Sequence, residues 1–270
     1  MQKQKTRRVR MRNLTKLMLA LITTQALAVD TATGPNKVYI EQIGNTNTIT
    51  IEQVGGTNNV GGIAGTTSVS SSDHTTTHTP DAPSSLNYGT VSGNSNVLNI
   101  NQQGNNNWAQ YNLKGNQNEY VSAVTGNNNK TKLKVGDANN TTNARNTFNE
   151  TITGNDNLSI QTVIGNDITS SLTVTGSRNQ VTQDLKSSNG SSTQSITGND
   201  NVVFTEQSDS AGGSGHSLTT MIAGDFNSVM TQQQGSNDTT VNIQNTGDHN
   251  TITVRTSSSA IVNPVTAIAR

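Results

Sequence analysis

The side chains able to do chemistry in this chain are few. His74 and His78 stand four residues apart, a spacing that on a helix would present two imidazoles to one metal, with Asp73 and Asp81 nearby. Their surroundings, TTSVSSSDHTTTHTPDAPSS, are rich in Ser and Thr, contain Pro80 and Pro83 and carry no helical period. They read as solvated loop histidines, His216 as another loop histidine and His249 as a turn residue. There is no cysteine. No Ser-His-Asp, Cys-His or paired-carboxylate arrangement can be assembled, so the reading is not an enzyme, with no metal and no cofactor.

What recurs at fixed spacing is instead amide and glycine. Between Val38 and Asn59, the set Val38, Ile40, Gln42 and Gly44 returns as Ile49, Ile51, Gln53 and Gly55, and Asn47 returns as Asn58 at the same offset. The unit is Gly-x-x-Asn-x-φ-x-φ-x-Gln-x, with φ an aliphatic residue. A side-chain amide carries both donor and acceptor, so identical amides stacked in register can bond to their neighbours above and below. That stacking makes burial of Asn and Gln tolerable.

The elements that position these amides follow from the period of two. Asn47, Ile49, Ile51 and Gln53 point to one face of an extended chain, while Thr48, Thr50 and Glu52 point to the other. Gly-x-x-Asn supplies the corner, because Gly adopts unusual backbone angles freely and Asn tolerates them. Two such units cannot bury their own apolar face, but stacked coils can, each strand pairing with its equivalent about 4.8 Å away. The expected fold is all-β: a β-solenoid of 11-residue strand-turn units, two per 22-residue coil.

These residues resemble the curlin repeats of bacterial functional amyloid fibres, whose motif joins Gln-x-Gly-x-x-Asn to alternating small or aliphatic residues. The matching segments are Gln42 to Asn47, Gln53 to Asn58 and Gln102 to Asn107. The resemblance implies a secreted, extracellular structural protein or adhesin of cell surfaces and biofilms that self-associates end to end, with nucleator or export factors as partners. The chain is also similar to proteins encoded by marine phages that infect cyanobacteria, with a comparable leader and IxIxQxGxxN units. That second likeness implies a virion-associated fibre or adhesin.

Residues 1–28 hold seven basic side chains and no acidic one, then the apolar run Leu17 to Ile22 and the small-residue site Ala26-Leu27-Ala28. This is the layout of a secretory signal peptide, and the apolar run is too short to span a membrane. Without those seven, the 17 basic residues fall to 10 against 17 acidic ones, a net charge near −7 that disfavours a nucleic-acid partner. No disulfide framework is available, so stability must come from the stacking. Residues 29–37 read as a lead-in, 38–60 as the first repeat pair, and 61–92 as a Ser/Thr/Gly-rich loop or linker. The main solenoid is expected over 93–256, and 257–270 form an apolar tail or cap.

Gly-x-x-Asn resumes at Gly93/Asn96, Gly104/Asn107, Gly115/Asn118 and Gly126/Asn129, with the same offset from each pair to the next as from Gly44 to Gly55. It continues, with irregular gaps, at Gly136, Gly154/Asn157, Gly176/Asn179, Gly198/Asn201, Gly224/Asn227 and Gly247/Asn250. Gly165 and Gly235 look like degenerate corners, with Ile168 and Asp238 where Asn is expected. Extruded loops are expected within 136–154 and 208–215. Leu158 and Ile160 stand out of phase with this register. Gly-Asn-Asp at Gly154, Gly165 and Gly198 is similar to calcium-binding β-rolls, but those repeat about every nine residues. The Asn-x-Ser/Thr sequons, among them Asn149 and Asn189, are expected by chance in so Asn-rich a chain. The Thr-x-Thr pairs (Thr48/Thr50, Thr173/Thr175, Thr251/Thr253) form too patchy an array to favour ice binding.

Overall fold

A computed structural model describes residues 28–29, 36–61, 89–136, 144–208, 216–235 and 239–257. The chain opens with β1 (Ala28–Val29), β2 (Lys37–Val38), β3 (Ile40–Ile43), β4 (Thr48–Val54), β5 (Asn59–Gly61) and β6 (Gly89–Ser92). Next come β7 (Val97–Gln103), β8 (Trp108–Lys114), β9 (Glu119–Thr125), β10 (Lys130–Val135), β11 (Thr147–Thr153), β12 (Leu158–Val163) and β13 (Thr169–Thr175). The series ends with β14 (Gln180–Lys186), β15 (Ser191–Thr197), β16 (Val202–Ser208), β17 (Ser217–Ala223), β18 (Ser228–Gln234), β19 (Thr240–Thr246) and β20 (Thr251–Ser257).

Successive strands go alternately to two parallel sheets. One runs β1-β4-β7-β9-β11-β13-β15-β17-β19; the other runs from β2 through β5, β8, β10, β12, β14, β16 and β18 to β20, with β3 and β6 continuing the lines of β2 and β5. The fold is therefore the expected β-solenoid, and nine strands at the parallel spacing make a rod about 40 Å long. Where no insertion intervenes the axial step is 22, as from Asn107 to Asn129 and in the strand pair Trp108↔Lys130 that follows them. The step becomes 28 from Asn118 to Asn146, 26 from Asn201 to Asn227 and 23 from His216 to Thr239. The strands on both sides of each stay in register, at Glu119↔Thr147, Val202↔Ser228 and Ser217↔Thr240. Extra residues are thus confined to corners, where lengthening the chain costs little and no ladder is broken.

The long loop is different, because it leaves from within a strand. Asn59–Gly61 pairs with Trp108–Gln110 and Thr90–Ser92 with Asn112–Lys114, so β5 and β6 are two halves of one strand. The region expected as loop over 61–92 is shorter than that, since Gly61 and Gly89–Ser92 are strand; 62–88 lie outside the described residues. Tyr111 fills the break: a Cβ on Gly89 would stand 2.2 Å from its Cζ, so only glycine fits beneath that buried ring. At the N-terminal end, Ala28 pairs with Gln53 and Val29 with Val54. Cleavage after Ala28 would leave only Val29 of that strand, and Ala26 lies outside the described residues, as do 258–270.

The alternation expected from the sequence places the core. Leu98, Ile100 and Gln102 point inward from one sheet, Ala109, Tyr111 and Leu113 from the other, and all are buried. The out-of-phase stretch keeps this register too: Ser159, Gln161 and Val163 face inward, whereas Leu158 and Ile160 lie on the outer side, with Ile160 paired to Lys132 and Thr182. One polar inward residue there, Gln161, joins Tyr120 and Ser122 of β9 in serving a buried carboxylate, Glu150. Tyr120 Oη donates to it at 2.6 Å, Ser122 Oγ at 3.0 Å and Gln161 Nε2 at 3.2 Å. Tyr120 is held well above the ordinary phenol value by burial and by Glu150.

Candidate functional site

The candidate site is the set of corners, together with the two faces at which their stacking stops. Two columns of corners run along the rod. The first contains Gly44, Gly93 and Gly115, the second Gly55, Gly104, Gly126, Gly154, Gly176, Gly198, Gly224 and Gly247; each of these has φ between +104° and +133°. In each the residue two places on is left-handed, for example Asp156 at +57°. The following Asn turns inward. Glycine is required by more than its torsion angle: a Cβ on Gly154 would lie 1.8 Å from the Gly176 carbonyl oxygen of the next coil.

The Asn side chains form a continuous ladder in the second column. It starts at Asn36 and proceeds through Asn58, Asn107, Asn129, Asn157, Asn179, Asn201 and Asn227 to Asn250. Asn129 shows the rung: its backbone N–H and Nδ2 donate to Asn107 Oδ1 at 3.0 and 3.1 Å, and Nδ2 also donates to the Gly154 carbonyl at 2.8 Å. A second ladder, which the sequence reading did not find, lies outside the first and runs the opposite way. Asn105 N–H donates to Asn127 Oδ1 and Asn127 N–H to Asn155 Oδ1, each at 2.8 Å, so here the acceptor sits on the following coil. The residue after each corner glycine was the available signal, since it is Asn in most units.

The first column departs from the expected pattern. Asn47, Asn96, Asn118 and Asn146 form its ladder, and Ile168 then occupies the slot, donating its N–H to Asn146 Oδ1. Asn146 holds the slot of the Gly136 unit because that corner contains an insertion. Beyond Ile168 the slot carbonyls come from Gly190, His216 and Thr239. His216 is therefore no loop histidine: it is buried in the stack, with Nδ1 3.2 Å from Thr239 Oγ1. Thr239 takes the place expected of Asp238, since the corner after Gly235 is one residue longer, and Asp238 lies outside the described residues. At Ser187-Ser188-Asn189-Gly190 the order of Gly and Asn is reversed, with Asn189 taking the left-handed φ of +55°.

The glutamine ladder expected alongside is short. Gln53 Nε2 donates to Gln102 Oε1 at 2.8 Å, but the next partner of Gln102 is Val124 and its own Nε2 is left without one. Gln42 pairs with Val91, not with an amide. Aliphatic residues fill most of both rows, where an apolar contact packs the core with no donor to satisfy, and in the second row glutamine returns near the far end, with Gln207 Nε2 donating to Gln233 Oε1 at 2.8 Å.

The two outer faces differ. The one formed by β9, β11, β13 and β15 is mostly Thr, Ser and Asn. The opposite face carries Trp108, Lys130, Lys132, Lys134, Leu158, Phe204 and Met230, and on it Asp184 and Glu206 are buried. Burial pushes the Asp184 carboxyl above its usual 3.8 and Glu206 adds to this, while the Lys186 ammonium at 2.6 Å opposes it. An acid whose folded value is raised favours folding when protonated. Its contribution therefore grows as pH falls through the folded value towards 3.8 and is unfavourable at neutral pH. Asp184→Asn is accordingly expected to raise the melting temperature at pH 7 and to flatten the gain on acidification, both readable by circular dichroism melts. A parent-like pH profile in the variant would refute this. Asp167 and Asp200 have the opposite shift, lowered by their hydrogen bonds to Arg145 and Arg178 one coil earlier. Both pairs are exposed and screened.

Among the described residues, both ends of the rod are open. At the C-terminal end Asn250 donates its N–H to Asn227 Oδ1, and among the described residues its own Oδ1 accepts nothing. The N-terminal end begins with Asn36, whose Oδ1 accepts from Asn58 and whose Nδ2 donates to the Gly55 carbonyl. No described helix is long and apolar enough to cross a membrane. Compared with protein-family models, curated proteins and solved structures, the chain matches none.

Proposed function

We propose that this is a secreted structural protein that self-associates end to end, in the manner of a curlin-like fibre subunit. The observation that supports it most is the Asn ladder of the second column, which among the described residues ends in an unmet acceptor at Asn250 and restarts in the same orientation at Asn36. A second copy placed below Asn250 with its Asn36 corner in register would continue the ladder, and the strand edges of β19 and β20 would gain partners. The basic, then apolar, then small-residue leader supports export to the cell surface or medium.

One observation favours a second reading, an adhesin of a cell surface or virion that remains single. In the first column the terminal slots hold Ile168, Gly190, His216 and Thr239, so at the C-terminal end only one of two corners offers an amide. Purified chain lacking residues 1–28 separates the two. A fibre subunit is expected to bind thioflavin after a lag that preformed fibres abolish, and to show unbranched fibres by electron microscopy. A monomer that persists for days, by light scattering, would overturn the fibre reading and leave the adhesin.

A further inference from the structure

We propose that the axial groove beside the second column of corners binds a neutral polysaccharide chain laid along the rod. The groove, about 460 Å³, crosses four successive coils at β8, β10, β12 and β14. At the parallel strand spacing that is about 14 Å from first to last. One wall is the ridge of left-handed corner residues, Asn106, Asn128, Asp156 and Arg178, and the other is the first outward row of the sheet, Trp108, Lys130, Leu158 and Gln180. Trp108 is the chain's one tryptophan. It is partly exposed, although the inward positions of the same strand bury Tyr111 completely. Its indole is already fixed: Nε1–H donates to Asn106 Oδ1 at 3.2 Å, Asn106 Nδ2 donates to Asn128 Oδ1 at 2.8 Å, and Lys130 Nζ sits 4.8 Å from the ring centroid.

The lining selects among ligands. An extended peptide that adds to a sheet needs an open edge, but each of these four strands is paired on both sides. A nucleic acid needs several unpaired cations; here Arg178 is committed to Asp200 through two bonds of 2.7 and 2.6 Å, Lys130 lies over the indole, and Asp156 adds a negative charge. A purely apolar ligand would meet only Trp108 and Leu158. What remains is a molecule with apolar C–H faces and hydroxyls at its edges. Such a sugar can lay a face against the aromatic and aliphatic side chains and exchange hydrogen bonds with the Gln180 amide and the Asp156 carboxylate. A repeating polymer suits a groove whose walls repeat once per coil. The proposal gives the secreted protein a surface to hold, and it does not depend on fibre formation.

A sole tryptophan makes the site directly readable. The full chain, kept at concentrations where it gives no thioflavin signal, is titrated with neutral hexasaccharides of glucose, xylose and N-acetylglucosamine, with an oligo-uronate and a single-stranded oligonucleotide for comparison. A saturable shift of indole emission with at least one neutral hexasaccharide is expected. Gln180→Ala and Asp156→Asn should each weaken it several-fold at an unchanged melting temperature. Trp108→Ala should reduce retardation in gels containing the responsive polysaccharide by on the order of tenfold or more. Indole emission unmoved by every neutral sugar, or Trp108→Ala retarded like the parent, would overturn the proposal. A response confined to the uronate or oligonucleotide and abolished by salt would overturn it equally, in favour of a polyanion site. Thioflavin-negative behaviour alone bears on the fibre reading only.

Discussion

Gly154→Ala is expected to destabilise the solenoid by about 3 kcal/mol or more, a large loss for one added methyl group. Two costs coincide at this position. Its φ of +129° lies in the region that a side chain rarely adopts, and the new Cβ would meet the Gly176 carbonyl oxygen at 1.8 Å. Strain alone would be relieved by a small rotation of the corner. That rotation is unavailable, because the Gly154 N–H is bonded to the Thr125 carbonyl and the Gly154 carbonyl accepts from Asn129 Nδ2. The substituted coil must move away from its neighbour, which lengthens the hydrogen bonds of both sheets there. Denaturant melts give the total, and hydrogen exchange should show loss of protection spreading from β11 and β12 in both directions, since each coil is supported only by its neighbours. A melting midpoint within a degree of the parent would show that the corners are not under close axial packing.

Replacing Asn129 by Ala is expected to cost about 3 kcal/mol, against less than about 0.5 kcal/mol for Asn101→Ser on the outer face. Asn129 is fully buried. Its side chain donates to Asn107 Oδ1 and the Gly154 carbonyl, and its Oδ1 accepts from the backbone and side-chain nitrogens of Asn157 at 3.1 and 3.0 Å. Alanine removes all four contacts and leaves buried groups on two neighbouring coils unmatched. Asn101 is exposed and makes one 3.3 Å bond to Glu52. If both substitutions prove equally mild in paired denaturant melts, the amide ladder is not what holds the corners together. Gln102→Leu should fall between them, because Gln102 Nε2 is already without a partner and its neighbour Val124 is aliphatic.

Much of this was legible in the chain itself. The constant offset from Gly44 to Gly55, the Gly-x-x-Asn corners and the alternation of Ile49 and Ile51 with Thr48 and Thr50 are local signals. They determined the strands, the corners, the inward face and the architecture, and they marked the inward Asn of the second column, but not Asn146, Gly190, His216 and Thr239 of the first. Each is set by backbone torsion and by the two-residue pleat, which a single unit already contains. Axial partnership was decided only by the folded coils. Which residue stands above which depends on a step that is 22 from Asn107 to Asn129, 28 from Asn129 to Asn157 and 49 from Asn58 to Asn107. The insertions that change it carry no period. For that reason His216, Gly190 and Thr239 could not be recognised as ladder residues, nor Gly89 as the floor beneath Tyr111. The same holds for the groove that joins Trp108 to Gln180, which are remote in sequence. Stacking converts residues one coil apart into neighbours about 4.8 Å apart, so properties that run along the rod belong to the stack and not to the repeat.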